Sequence, residues 1–207
     1  MNSIIKILSI IKNSNCFINR NRFFIVVGIA ILGACSNPFA TREAEKPTSD
    51  RSSWKQPTSP EIVIDNMRLS LIEGNETNYL NCLADNGRFR FFADEIAKSN
   101  NPGLFESWTK ESEKTYINKL FTATKDSIKK ADITISRVPD YGDSVLIKVE
   151  YELEFHHNLG ESFPDSARGQ AEFWLRALES GYVITQWTDF GAADAPSWSS
   201  IKASFWK

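Results

Sequence analysis

The sequence has few of the residues on which many catalytic and metal sites depend. Its 207 residues include three cysteines and two histidines. The histidines, His156 and His157, are adjacent, and because neighbouring strand residues point to opposite faces they cannot both bind one metal ion. We predict that both are surface residues at a turn. No cluster of Cys, His and carboxylates has zinc-like spacing. There is also no Gly-rich phosphate loop, nucleophile elbow or Glu-x-x-His pair. The sequence therefore predicts neither a metal nor a cofactor.

The apolar runs are too short to cross a bilayer, since a spanning helix takes about 20 residues. The run at residues 23–32 has ten residues, and the segment before it has four basic residues and no acidic residue. A basic segment followed by a short apolar run is typical of an export signal. The sequence therefore predicts an exported protein with a leader at its start.

The leader ends in a short motif that indicates how the protein is anchored. Leu32-Gly33-Ala34-Cys35 resembles the lipobox of bacterial lipoproteins. The resemblance implies that residues 1–34 are a signal peptide and that Cys35 receives a diacylglycerol thioether and an acylated amino terminus. Two or more acyl chains give stable membrane anchoring. In bacterial lipoproteins, the absence of Asp directly after the cysteine goes with transfer to the outer membrane. Because Ser36 occupies that position, the resemblance favours the outer membrane of the cell envelope over the inner one.

The remaining charge argues against nucleic acid as a partner. The whole chain has a formal net charge of −2, and loss of the leader with its four basic residues would leave −6. Binding to phosphates needs a basic face, so we expect no nucleic acid, and membrane attachment must rest on Cys35. The other cysteine of the processed chain, Cys82, is predicted to be a small buried apolar residue.

Residues 35–59 are polar and interrupted by proline, which predicts a flexible tether after the lipidated cysteine. Within it, Trp54 has two interpretations, docking onto the domain or exposure to solvent. Residues 60–207 have the length of one domain. Hydrophobic periodicity predicts helices at 60–74, 75–83 and 108–121, with Ser59 and Asn75 as the N-caps of the first two. It predicts strands at 88–92, near Ile133 and Ile135, and at 145–155, 171–178 and 182–190. Residues 196–205 fit either a helix or an edge strand.

This order of elements predicts an α+β domain in which the N-terminal helices pack on a curved antiparallel sheet. It resembles the cone-shaped fold of nuclear transport factor 2 and ketosteroid isomerase. The segments that resemble a group of uncharacterised bacterial lipoproteins with that fold are residues 59–61, 79–85, 89–91, 181–189 and 197–202.

The resemblance implies a cavity between the sheet and the helices. Ligand-binding residues expected there are Phe173, Trp174, Tyr182 and Trp187. One functional hypothesis is binding of a small apolar ligand or an envelope protein without catalysis. The other is an isomerase or hydrolase of the ketosteroid isomerase kind, which needs a buried carboxylate base and a hydrogen-bond donor.

Asp189 is the candidate base for that reaction, and Tyr151 is the candidate donor. Asp189 follows Trp187 by two residues, so both belong on one face of a strand. A structural role for Asp189 and Tyr151 is the alternative interpretation. Self-association as a homodimer through the sheet is a further expectation from the fold.

Overall fold

Five strands form one sheet, in the order β1-β5-β4-β3-β2. The structure, a computed structural model, describes residues 53–141 and 144–206. The predicted signal peptide, Cys35 and most of the predicted tether lie outside the described residues. The strands are β1 (Arg90–Phe92), β2 (Lys129–Tyr141), β3 (Ser144–Phe155), β4 (Ser166–Leu178) and β5 (Gly181–Gly191). β1 pairs with β5 in parallel, and the other neighbours are antiparallel.

Five helices are described with the sheet. They are α1 (Pro60–Glu73), α2 (Glu76–Asn81), α3 (Glu95–Asn100), α4 (Lys110–Ala123) and α5 (Trp198–Trp206). The predicted helices at 60–74, 75–83 and 108–121 are confirmed as α1, α2 and α4. The sequence prediction missed α3, and of the two interpretations for residues 196–205 the helix is the one observed.

Local sequence signals set several helix ends. Pro60 begins α1, and Gly74 ends it in a left-handed conformation with φ 68°. Ser59 occupies the N-cap position of α1, as predicted, but its side chain makes no cap hydrogen bond. Asn75 caps α2 by accepting a hydrogen bond from the Asn78 amide, as predicted. The Asp94 side chain caps α3 by accepting hydrogen bonds from the Ile96 and Ala97 amides. Because this helix has only six residues, it is too short to show a hydrophobic period in the sequence.

The long strand β3 shows the predicted alternation. Ile147, Val149, Tyr151, Leu153 and Phe155 are buried, and they face the helices. The pairing of β4 with β5 shifts register between Trp174 and Leu175. A bulge of this kind changes which residues of a strand face the core. The other face of the sheet carries charged pairs, Lys130 with Glu154 and Lys148 with Glu172.

The last residues of the predicted tether pack against the domain. The Lys55 amide and carbonyl both bind the side chain of Asn66 on α1. Trp54 is half-buried against the core, so of its two interpretations docking is the one observed. The Pro57 carbonyl accepts a hydrogen bond from the Tyr182 amide. A Cβ at Gly181, where φ is 121°, would meet Pro57, so glycine permits this approach. The prediction of a flexible segment up to Ser59 is therefore wrong for residues 53–59.

Gly169 on β4 allows another close approach. A Cβ there would lie 2.6 Å from the Tyr151 hydroxyl oxygen and would also meet the Phe190 carbonyl. Gly169→Ala should therefore lower the free energy of unfolding by about 1–3 kcal/mol, the usual cost of overpacking. Urea unfolding measures the change. Ser166→Ala, at an exposed position of the same strand, is the control and should change stability by less than about 0.5 kcal/mol. Equal stability of the two variants would contradict the described contact.

Candidate functional site

The predicted catalytic residues, Asp189 and Tyr151, are in contact inside the protein. The Tyr151 hydroxyl donates a hydrogen bond to Asp189 Oδ1 over 2.8 Å. Both side chains are almost fully buried. Burial raises the pKa of Asp189, and hydrogen bonds from Ser199 and Tyr151 oppose that rise. Burial, and next the negative charge of Asp189, raise the pKa of Tyr151.

The remaining hydrogen bonds of this pair go to the first turn of α5. Asp189 Oδ2 accepts from the Ser199 amide over 2.7 Å and from the Ser199 hydroxyl over 2.5 Å. The Trp198 amide donates to the Tyr151 hydroxyl oxygen over 2.9 Å. The first amides of a helix have no partner within the helix, and a carboxylate there is favourable. Asp189 and Tyr151 therefore fix the start of α5; a catalytic role for them stays a prediction.

One turn further along α5, a lysine is buried beside a carboxylate. Lys202 and Glu113 are each fully buried, and their side chains form an ion pair. Glu113, on α4, also accepts hydrogen bonds from the Trp108 indole and the Tyr79 hydroxyl, each over 2.7 Å. Desolvation lowers the pKa of Lys202 to about 8, and the charge of Glu113 opposes that fall. Breaking a buried pair by removing one partner typically costs about 3–5 kcal/mol.

Aromatic rings enclose the Lys202 ammonium group. Its Nζ lies 3.6 Å from the centre of the Trp187 ring and 3.9 Å from that of Phe91. Tyr116 and Trp108 lie further off, at 5.4 and 5.9 Å. Aromatic faces attract cations, most strongly where water is excluded. We refer to Lys202, Glu113 and these four rings as the lysine cage.

The rings of α5 and the sheet continue the same packing. Trp198 packs edge-on against Trp187, with ring centroids 4.5 Å apart, and against Tyr151 at 5.3 Å. Phe173 contacts Trp187 from the sheet at 5.0 Å. These four residues are buried. Side chains from α5 therefore occupy the space between sheet and helices where the sequence predicts a ligand cavity.

The four predicted ligand-binding residues lie in three different surroundings. Phe173 and Trp187 are fully buried in the core. Trp174 follows Phe173 on β4 and so lies on the opposite face of the sheet. Tyr182 lies at the start of β5, where it lines a surface groove. The structure thus does not bring the four together around one ligand.

Sequence reasoning missed Glu113 and Lys202. Glu113 precedes the buried Tyr116 and Ile117 by three and four residues, so it lies on the inner face of α4. Lys202 follows the buried Trp198 by four residues and precedes the buried Phe205 by three, so it lies on the inner face of α5. A charged residue on the apolar face of a helix is unusual, because isolated buried charges are costly. That signal was available for each residue, although it does not reveal that the two are partners.

The cysteine and the two histidines considered in the sequence analysis differ in their burial. Cys82 is buried, as predicted, and burial raises the pKa of its thiol. His156 is exposed, but the His157 ring packs against Phe205 at 5.5 Å, so the prediction that both histidines are surface residues is wrong for His157. Within residues 53–141 and 144–206, no group of three or more His, Cys, Asp or Glu could hold a metal ion. No helix in the described part of the chain is long and apolar enough to cross a membrane.

Comparisons with known proteins give likenesses of structure alone. No protein-family model and no curated protein matches the sequence. A protein from Novosphingobium aromaticivorans designated an aromatic ring hydroxylase has a TM-score of 0.53 at 11% identity, over 69% of this chain and 92% of that chain. One from the same organism designated a scytalone dehydratase has a TM-score of 0.49 at 8% identity, over 66% and 88%. A nuclear transport factor 2-like protein of unknown function from Shewanella oneidensis has 0.47 at 12%, over 61% and 91%.

The fold follows from the element order and from the first of these likenesses. The described chain has N-terminal helices packed on a curved, mainly antiparallel sheet, and it matches a solved structure over most of that structure's length. The predicted α+β fold, with N-terminal helices packed on a curved, mainly antiparallel sheet, is thereby confirmed. Identities this low show a fold and leave activity open.

The lysine cage is testable by a double-mutant cycle. Lys202→Met should lower the free energy of unfolding by about 3–5 kcal/mol, because Glu113 then stays buried without a cation. Adding Glu113→Gln should recover most of that loss, since the amide oxygen can still accept from the Trp108 indole and the amide nitrogen can donate to the Tyr79 hydroxyl oxygen. Chemical denaturation of the wild type, both single variants and the double variant gives the coupling energy. Additive effects of the two substitutions would show that the residues do not interact.

Proposed function

We propose that this protein is a lipid-anchored protein of the bacterial envelope whose α+β domain binds a ligand or partner without catalysing a reaction. The observation that carries the second half is the occupied interior. Trp198 and Lys202 of α5 pack between sheet and helices. Asp189 Oδ1 accepts a hydrogen bond from Tyr151 of β3, and Oδ2 accepts from Ser199 at the start of α5. A general base needs a substrate within hydrogen-bond reach, and Asp189 is only 1% exposed.

The anchoring half of the proposal rests on the sequence. A basic segment, a short apolar run and Leu32-Gly33-Ala34-Cys35 follow one another in the order of a lipoprotein signal. Attachment to the outer membrane is the favoured location because Ser36 follows the cysteine. The domain would then be held at the membrane by acyl chains on Cys35 rather than by a basic surface.

An outer groove offers a place for a small apolar ligand. It has a volume of about 810 Å³ between β1, α3 and the start of α4. Its wall includes Phe91, Phe92, Phe105 and Trp108, and the Phe92 side chain is 48% exposed. Ligand sites are typically lined by apolar and aromatic side chains with a few polar groups. A segment of an envelope protein partner is the alternative occupant.

An isomerase or hydrolase activity is the second candidate function. It is favoured by one observation, the buried Asp189 carboxylate in contact with the Tyr151 hydroxyl over 2.8 Å. The raised pKa of Asp189 is also a property of catalytic bases. For this function α5 would have to move away, because it covers both residues.

Asp189→Asn separates the two candidate functions. Its matched control, Ser199→Ala, removes a hydrogen bond from the same helix start but keeps the carboxylate. Each substitution should lower the free energy of unfolding by about 1–3 kcal/mol. Both variants are expressed at a temperature at which they are folded, in a strain that lacks the gene. If the domain only binds its ligand, both should restore the wild-type phenotype. Failure of Asp189→Asn alone would establish the catalytic role.

Cys35→Ala tests the anchor. The variant should incorporate no labelled fatty acid and should accumulate as an uncleaved precursor, because the acylated thiol is missing. Metabolic labelling followed by membrane fractionation measures both effects. Cys16→Ala, within the leader, is the control and should be processed like the wild type. Normal cleavage of Cys35→Ala to a soluble product would refute the proposed anchoring.

A further inference from the structure

A second groove lies where the docked segment 53–58 meets the sheet. Its volume is about 800 Å³. The α2–β1 connection and the ends of β4 and β5 form its other walls. We call it the arginine groove, after the three arginines that line it together with two aromatic residues: Arg88, Arg90, Arg176, Trp54 and Tyr182.

Backbone geometry brings two of the arginines to the groove. Arg90 begins β1 and is exposed between the buried Phe89 and Phe91. Arg88 lies at the end of the preceding turn, where its amide donates to the Asp85 carbonyl over 3.2 Å, and it too is exposed and lines the groove. Arg90 is held in place, since its Nη1 donates to the Gly87 carbonyl over 2.5 Å and to the Phe89 carbonyl over 2.9 Å. Arg176 reaches the same groove from β4.

The positive charge of the arginine groove is not neutralised within the described residues. Among the side chains of residues 53–136 and 144–206, the ion pairs include none from Arg88, Arg90 or Arg176. The carboxylate in the lining, Asp85, is paired with Lys110 over 2.6 Å. Three guanidinium groups thus converge on one concave surface of a chain whose formal net charge is −2.

The remaining lining suits a ligand with a ring-bearing body. Tyr182 is fixed by the hydrogen bond between its amide and the Pro57 carbonyl, 2.8 Å long. Trp54 lies on the same docked segment and packs against the core. Guanidinium groups bind carboxylate and phosphate oxygens in a bidentate manner, and aromatic faces stack on planar groups. A volume of this size is in the range of small-molecule sites.

We propose that the arginine groove binds a small organic polyanion whose carboxylate or phosphate groups contact Arg88, Arg90 and Arg176. The inference rests on the proposed function only in that the domain binds its ligand rather than transforming it. The same acidic groups occur on free metabolites and on anionic lipid headgroups. Both sources present the chemistry that the groove recognises, and experiment separates them.

Binding to defined anions tests the proposal. The detergent-solubilised full chain is titrated calorimetrically with citrate, with pyrophosphate and with the water-soluble lipid headgroups glycerophosphoglycerol and glycerophosphocholine. Arg88→Gln/Arg176→Gln should weaken binding about tenfold or more, as expected for lost charge-assisted hydrogen bonds. The control is Lys114→Gln/Lys125→Gln, which removes the same charge at exposed positions outside the groove. It should bind within about twofold of the wild type.

Each outcome decides the proposal. Binding of either free anion, lost in the arginine variant alone, supports a free ligand. Binding of glycerophosphoglycerol alone, lost in the same variant, supports a lipid headgroup. No binding in any arm, or equal weakening in the lysine control, would overturn the proposal. The binding assay involves no turnover. If Asp189→Asn failed to restore the wild-type phenotype to the deletion strain, the proposed non-catalytic function would be overturned, but the result of the binding assay would stand.

Discussion

The ion pair between Lys202 and Glu113 is the constraint on which the rest of the interior depends. Two opposite charges lie fully buried on two helices, at positions 89 residues apart in the sequence. Burying either charge alone would be prohibitive, so α5 docks in the one position that brings Lys202 to Glu113. The rings of Trp187 and Phe91 complete the surroundings of the ammonium group. An ordinary apolar helix could slide or rotate in the same space, whereas this pair sets its register.

The fixed position of α5 explains why the predicted catalytic residues are buried and hydrogen-bonded. Asp189 and Tyr151 receive the first amides of the helix, and their burial follows from that contact. A buried carboxylate with a raised pKa is therefore expected for a helix cap as well as for a base. With the interior occupied, the proposed ligand binding is left to the outer surface. There the chain presents the groove walled by Phe91 and Phe92 and the arginine groove.

Much of the fold could be predicted from the sequence because its signals are local. The period-two pattern of β3 and the Asn75 cap depend on neighbouring residues, and both are observed. The contacts of α5 are not local, since Lys202 meets a residue 89 positions earlier. Periodicity places a charge on the inner face of a helix but cannot name its partner. The same limit explains why Phe173 and Trp187 were predicted as ligand contacts, because an inward aromatic residue lines a cavity or fills it depending on what packs opposite.

The titration of the Lys202 amine tests the closed interior most directly. Nuclear magnetic resonance of protein labelled at the lysine side chains follows each amine with pH, and Lys202→Met assigns the signal. A caged, desolvated ammonium group should titrate near pH 8, below the pKa of about 10.4 of a lysine amine in water. Its carbon and nitrogen shifts should also show the ring currents of Trp187 and Phe91. A Lys202 signal that titrates like an amine in water would contradict the account, because it would leave the interior open.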